Sequence, residues 1–259
     1  MFAVTEAPCS PKAYNNLPGI MDADAAIKPL DFALSQLVSQ GSILCEDTPF
    51  AHGQVGAFLL HKHWQVEDDE CMIERPGLHP NGRPALTTSA QSSRAMSGLA
   101  PSRFMIDPRS KQFIALEFSS DSYVKEMWHD LLAHPSFIQR TCDLVSETEL
   151  QDQIGFGIFA RAGIPVCEGE ELVEESWNQA SVLSAQTLTS DHDSVLVRTG
   201  WSFVSARKRD IQAAQCIAYC MGAGSSAHCK HHYNRPVEAP PKTLPQLIMT
   251  PAPLCALHD

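Results

Sequence analysis

The chain has 259 residues, 44% of them hydrophobic and 19% charged, with a formal net charge of −11. That balance calls for a packed core and excludes a disordered chain. The one compact basic run is Arg207-Lys208-Arg209, so neither nucleic acid nor an anionic membrane surface is expected as a partner.

Residues 1–27 are rich in Pro, Asn, Gly and Ala and read as a loose lead-in. They lack the basic and apolar regions of a secretory signal. The longest apolar runs, such as "AFLL", span a few residues and are too short to cross a bilayer. Nine cysteines at irregular spacing then predict reduced thiols and a cytoplasmic location. Over 30–40, Leu30, Phe32, Ala33, Leu37 and Val38 follow helical spacing. "VGAFLLHKHWQV" (55–66) is aliphatic and aromatic with no breaker after Gly56, and predicts a strand. "LTTSAQSSRAMSGLAPS" (86–102) is small and polar and reads as a long mobile loop, a candidate lid.

"FIALEFSS" (113–120) predicts a further strand, and Asp121 or Ser122 can cap the helix that follows. There Val124, Met127, Trp128, Leu131 and Leu132 form one apolar stripe. Pro135 suits the first turn of a second helix. Strands are expected over 153–160 and 194–206, with Gly155, Gly157 and Gly200 marking bulges or close backbone approach. Six prolines make 235–259 an extended tail. The sum is an α+β fold in one domain, 28–234: one mainly antiparallel sheet with a few dispersed helices. There is no G-x-G-x-x-G, no P-loop lysine and no G-x-S-x-G elbow, so Rossmann, P-loop and α/β-hydrolase readings fall away.

The strand reading puts Phe58, Leu60, Trp64 and Val66 on one face, with Lys62 the exception, and Val55, Ala57, Leu59, His61, His63 and Gln65 on the other. Two imidazoles two residues apart on a strand stand roughly 6.6 Å apart, and can converge on one ion at ~2.0–2.1 Å each. The alternative is acid–base: His61 or His63 as general base, with Glu67 as the carboxylate partner. Packing or substrate-binding histidines are the third reading. Together Gly56, His61, His63 and Glu67 resemble the first signature of cupin barrels, a resemblance that implies an iron or manganese site.

The densest set of potential ligands is "QCIAYCMGAGSSAHCKHHYN" (215–234), with Cys216, Cys220, His228, Cys229, His231 and His232. On a helix Cys216 and Cys220 could share a metal; on a strand roughly 13 Å separates them and no single ion bridges it. The composition of "QCIAYC" leans to strand. His228, His231 or His232 could instead join His61 and His63 around a catalytic zinc, iron or copper with an open position. Equally, Cys216 and Cys220 can be small core residues and "HCKHHY" a polar turn. His129-Asp130 resembles the HD pair of phosphohydrolases only as a dipeptide and falls off the apolar stripe. Cys71, Cys142 and Cys167 have no local His or basic partner to activate a thiolate, and Ser225 and Ser226 follow Gly224 without a strand-turn-helix context.

"LLHKHWQVEDDE", "GWSF", "QCIAYC" and "HCKHH" together resemble uncharacterised LLHxHF-type hypothetical proteins of filamentous fungi. The resemblance implies a fungal intracellular protein, an accessory enzyme of specialised metabolism. Two function classes follow. One is an enzyme whose histidines act on a small organic molecule. The other is a non-catalytic binding or regulatory protein, with or without a structural zinc, whose Pro-rich tail engages a protein partner.

Overall fold

Eleven strands close on themselves into a barrel, in the order β1-β6-β4-β5-β2-β3-β8-β7-β11-β10-β9, with β9 returning to β1. The structure is a computed structural model. It describes residues 9–46, 48–50, 52–79, 81–159, 161, 164, 170–177, 180–187, 195–204, 216–222 and 229–233. The strands are β1 His52–Leu59, β2 Glu70–Leu78, β3 Pro84–Ser92, β4 Ala100–Asp107, β5 Gln112–Ser119 and β6 Ile154–Ile158. They continue with β7 Glu170–Trp177, β8 Ala180–Thr187, β9 Val195–Val204, β10 Cys216–Gly222 and β11 Cys229–Tyr233. Every pairing is antiparallel except β2 with β5, where Met72, Ile73 and Glu74 run beside Glu117, Phe118 and Ser119. The α+β class with one mainly antiparallel sheet is therefore the observed architecture.

The helices are α1 Pro11–Asn15, α2 Ile20–Ile27, α3 Asp31–Cys45, α4 Ser122–Ala133 and α5 Pro135–Ser146. Local chemistry sets their starts. Asp121 Oδ1 accepts from the Tyr123 and Val124 N–H groups, and Pro135 occupies the first turn of α5. Helix α3 packs on β9 and α5, and α4 on β4. Val55, Ala57 and Leu59 of β1 join Leu37, Val38, Leu131 and Phe156 in the core between barrel and helices. The alternate residues Phe58 and Leu60 belong to a second core with Met72, Leu86, Leu116 and Leu183, which fills the barrel. From Val55 to Leu60 both faces are thus buried, which is why that stretch, "VGAFLL", carries no polar side chain.

Two glycines let the wall close. A Cβ on Gly56 would lie 2.0 Å from the Trp201 carbonyl oxygen, and one on Gly155 would lie 2.0 Å from that of Phe104. No described helix is long and apolar enough to cross a membrane.

Several expectations are corrected. The lead-in is not loose where it is described. Ser10 Oγ accepts from the Ala13 N–H at the start of α1, and Tyr14 and Leu17 are buried in the barrel core. Residues 86–102 are not a mobile lid: β3 runs to Ser92, a short 3-10 turn covers Ser93–Met96, and β4 begins at Ala100. The small Thr and Ser side chains of β3 sit between β2 and β8, where Leu86 and Thr88 are buried. Not all cysteines are free thiols either, because Cys9 and Cys71 form a disulfide. Cys45 and Cys142 are buried thiols whose pKa burial pushes up to about 12. The Pro-rich tail, 235–259, lies outside the described residues, as do Cys167, Ser225 and Ser226.

Candidate functional site

Strand β1 ends at Leu59, seven residues short of the expected strand, so His61 and His63 do not stand on a sheet face. The competing partner is the α1 segment. Lys62 N donates to Pro18 O at 2.9 Å and Lys62 Nζ to Asn15 O at 2.5 Å. The Asn15 amide accepts from Val66 N at 2.9 Å and donates to Val66 O at 2.7 Å. His63 N donates to Tyr14 Oη at 3.2 Å. These bonds turn the 61–66 segment out of the sheet and fold it against α1 at the end of the barrel. Backbone groups that leave a ladder still need partners, and here the N-terminal segment supplies them.

The two imidazoles do come together, by a different route from the expected strand alternation. Their ring centroids are 4.9 Å apart, edge to face, and the His61 ring packs tilted against Phe58 at 5.3 Å inside the barrel. His61 is 0% exposed. Its Nδ1 lies 2.7 Å from Leu59 O. A carbonyl can only accept, so Nδ1 carries the proton, and in the neutral ring Nε2 carries the lone pair. Burial pushes the His61 pKa down to about 3, and the nearby Arg103 charge acts in the same direction. For His63, burial first, then His61 and Arg103, hold the pKa well below 6.5. Both rings are neutral at neutral pH.

The carboxylates that share this interior are Glu117 and Glu74. Glu67, the expected partner, is exposed on the turn before β2, where its N–H donates to Glu70 Oε2 at 3.0 Å. Arg103 of β4 and Glu117 of β5 face each other in register and pair at 3.1 Å, with side chains only 6% and 8% exposed. The Arg103 guanidinium also lies 4.4 Å from the centre of the Phe58 ring. Two residues further along β2, Glu74 accepts from Arg161 Nε at 2.7 Å and from Ser119 Oγ at 2.5 Å. Arg161 Nη1 also donates to Ile158 O at 2.8 Å. Burial raises the Glu117 pKa, and the Arg103 charge opposes that rise. The inner wall is therefore layered. Arg161–Glu74–Ser119 lies at one level, Arg103–Glu117 over Phe58 at the next, and the imidazole pair sits beneath α1. No periodicity singled out Arg103, Glu117, Glu74 or Arg161; the one available signal was a charged residue inside an otherwise apolar strand, as in "FIALEF".

A cleft of about 380 Å³ opens at the same end, between α1 and the β4–β5 hairpin. Leu17, Leu60, Met105 and Ile114 make it apolar, and Lys12 and Asp152 stand among its polar lining residues. Leu60 belongs both to this cleft and to the core of the barrel, one residue before His61.

The remaining expected ligands are placed only in part. Cys216 and Cys220 lie on strand β10, four residues apart in extended chain, so sharing one ion is ruled out by a span of roughly 13 Å. His231 and His232 are consecutive on β11, and His228 lies outside the described residues. Register aligns Cys220 with His231, and His231 with Glu174 of β7. Among the described residues no three His, Cys, Asp or Glu side chains converge as a metal site, so His61 and His63 have no third donor there. His129 and Asp130 lie on α4, off its buried stripe.

The fold and site define a closed, mainly antiparallel barrel with helices packed on one wall and a charge-paired interior ending in two neutral imidazoles. No protein-family model matches the chain, and neither does any curated protein or solved structure.

Proposed function

We propose that the protein takes a small organic molecule at the α1 end of the barrel, and that His61 and His63 form an acid–base pair acting on it. The observation that carries this reading is the state of His61: buried, neutral, and fixed by the Leu59 carbonyl so that Nε2 holds the lone pair. A ring set in one tautomer is ready to accept a proton or a hydrogen bond without rearrangement. Its low pKa reflects burial and the Arg103 cation. An acidic O–H or C–H group that gives up its proton there would leave an anion beside the imidazolium. That anion would raise the proton affinity of the ring, and Arg103 would stabilise it in turn.

The cleft beside Leu60 is the natural entry, since α1 forms one side of it and also holds the 61–66 segment. Its apolar floor suits a largely apolar molecule with one polar end. The likeness to fungal LLHxHF-type proteins favours a substrate from specialised metabolism. A metal-assisted version of the reading needs a third ligand in addition to the two imidazoles.

The test is a small-molecule stability screen on wild type, His61→Asn and His63→Asn. Asn keeps a donor for the Leu59 carbonyl at position 61 but removes the basic nitrogen. A compound that raises the melting temperature of wild type and not of His61→Asn supports the site, and turnover of that compound by wild type alone supports proton transfer. Hits that stabilise all three proteins equally would put the site elsewhere.

A further inference from the structure

We propose that the Cys9–Cys71 disulfide is a redox clasp, whose reduction releases α1 from the barrel end and opens the His61–Val66 segment. The bond joins the residue before the Ser10 cap of α1 to β2, across 62 positions of sequence. Cys71 is buried, and its neighbour Met72 pairs in register with Glu117. The segment that follows Cys9 makes the contacts that hold the histidine turn: Tyr14 to His63, Asn15 to Val66, and Asn15 and Pro18 to Lys62. Helix α1 itself has five residues, too few to be stable alone. It keeps its place through side-chain contacts on one side and the covalent link on the other.

The chemistry is thiol–disulfide exchange with a glutathione-class thiol. The thiolate attacks Cys9 Sγ, which is half-buried, and displaces the fully buried Cys71 as the leaving thiolate. A second glutathione attacks the mixed disulfide at Cys9 and leaves as glutathione disulfide. Two electrons and two protons pass to the protein, and both cysteines end as thiols. Re-closure runs the same steps backward, with glutathione disulfide as oxidant. Once open, α1 is held by these hydrogen bonds and by the packing of Tyr14 and Leu17, and its release becomes a local opening instead of a global one.

The proposal does not depend on the small-molecule reading, because its readout is the chain itself. The experiment equilibrates the full chain in buffers of varied glutathione to glutathione disulfide ratio. Closure is followed by alkylation and peptide mass, and backbone hydrogen exchange is measured at each end of the range. The expected result is a reversible transition, with exchange over 10–18 and 60–66 about ten-fold faster in the reduced form and β4–β6 unchanged. Cys9→Ser, which leaves the buried Cys71 in place, should exchange like the reduced wild type, with circular dichroism confirming the retained fold. Three results would each overturn the clasp: alkylation of both cysteines in unreduced protein, a bond that stays closed at every ratio, or equal exchange over 60–66 in the two forms.

Discussion

The Arg103 guanidinium lies 4.4 Å from the centre of the Phe58 ring while pairing with Glu117 at 3.1 Å. One cation thus serves an aromatic face and a carboxylate at the middle level of the barrel, within electrostatic reach of both imidazoles. A buried pair contributes little net stability against an apolar replacement, but removing one partner leaves the other charge stranded. Arg103→Met and Glu117→Leu should each lower unfolding stability by about 3–5 kcal/mol, and the double variant by much less than their sum. Urea unfolding at pH 7 decides it. Additive losses would mean that the two side chains act independently.

The same cluster sets a pH dependence whose components have opposite signs. Burial holds the His61 pKa near 3 and that of His63 well below 6.5, so the unfolded chain binds protons that the folded chain refuses. Stability is fully present above pH 6.5 and falls as the pH drops toward 3, by up to about 1.4 kcal/mol per pH unit for one such ring. Glu117 works the other way. Its pKa is raised above 4.5, so the folded state takes up that proton first, and stability lost as pH rises through the raised value returns as pH falls. Denaturant midpoints from pH 7 to pH 4 should therefore flatten in His61→Asn and steepen in Glu117→Gln. A Glu117→Gln midpoint constant over that range would show the imidazoles to be solvated.

What the sequence revealed follows the range of the interactions involved. Helix α4 was legible because its cap, Asp121, and its stripe, Val124 to Leu131, act within a few residues. The phase of β1 was legible too: Phe58 and Leu60 share one core, while Val55, Ala57 and Leu59 share the other. Strand β1 ends before the apolar pattern does because Lys62, His63 and Val66 bond to residues about fifty positions earlier, which no local pattern encodes. Strand β3 was hidden by its Thr and Ser content, since small polar side chains fit a barrel whose interior also holds ion pairs. The Arg161–Glu74 contact spans 87 positions and left no local trace. Glu67 looked like the carboxylate partner only because it is near in sequence.

Barrel closure depends on backbone crowding at two glycines. At Gly56 a Cβ would fall 2.0 Å from Trp201 O, and at Gly155 it would fall 2.0 Å from Phe104 O, in both cases against backbone that cannot swing away. Gly56→Ala and Gly155→Ala should each cost more than about 3 kcal/mol, through separation of β1 from β9 or of β6 from β4. Gly98 has a positive φ of 75° but open space around it. Ala there carries only the strain of a left-handed residue, about 1 kcal/mol. The melting temperatures of Gly56→Ala and Gly155→Ala should fall well below that of Gly98→Ala, and a soluble, wild-type-like Gly155→Ala would contradict the described β4–β6 register.

Metal content separates the two His-rich regions. His61 and His63 have no third donor among the described residues, and two imidazoles alone hold a divalent ion weakly. Any stoichiometric metal in untagged protein should therefore persist in the His61→Ala/His63→Ala variant, as read by plasma mass spectrometry with circular dichroism to confirm folding. Loss of the metal in that variant would make the pair a ligand set and revive the metal-assisted reading.

The link between α1 and the histidine turn is separable from the histidines themselves. Asn15 uses both ends of its amide on Val66, at 2.9 and 2.7 Å, in the manner of a missing strand neighbour. Asn15→Ala removes both bonds, and at about 0.5–1.5 kcal/mol each it should destabilise the protein by roughly 1–3 kcal/mol. Tyr14→Phe removes only the hydroxyl that accepts from His63 N, so its cost should stay near 1 kcal/mol. The loss in Asn15→Ala should be local. Hydrogen exchange should quicken over 60–66 while the β4–β6 amides keep their protection. If exchange quickens uniformly instead, α1 is part of the global folding unit and not a separable cover over the barrel end.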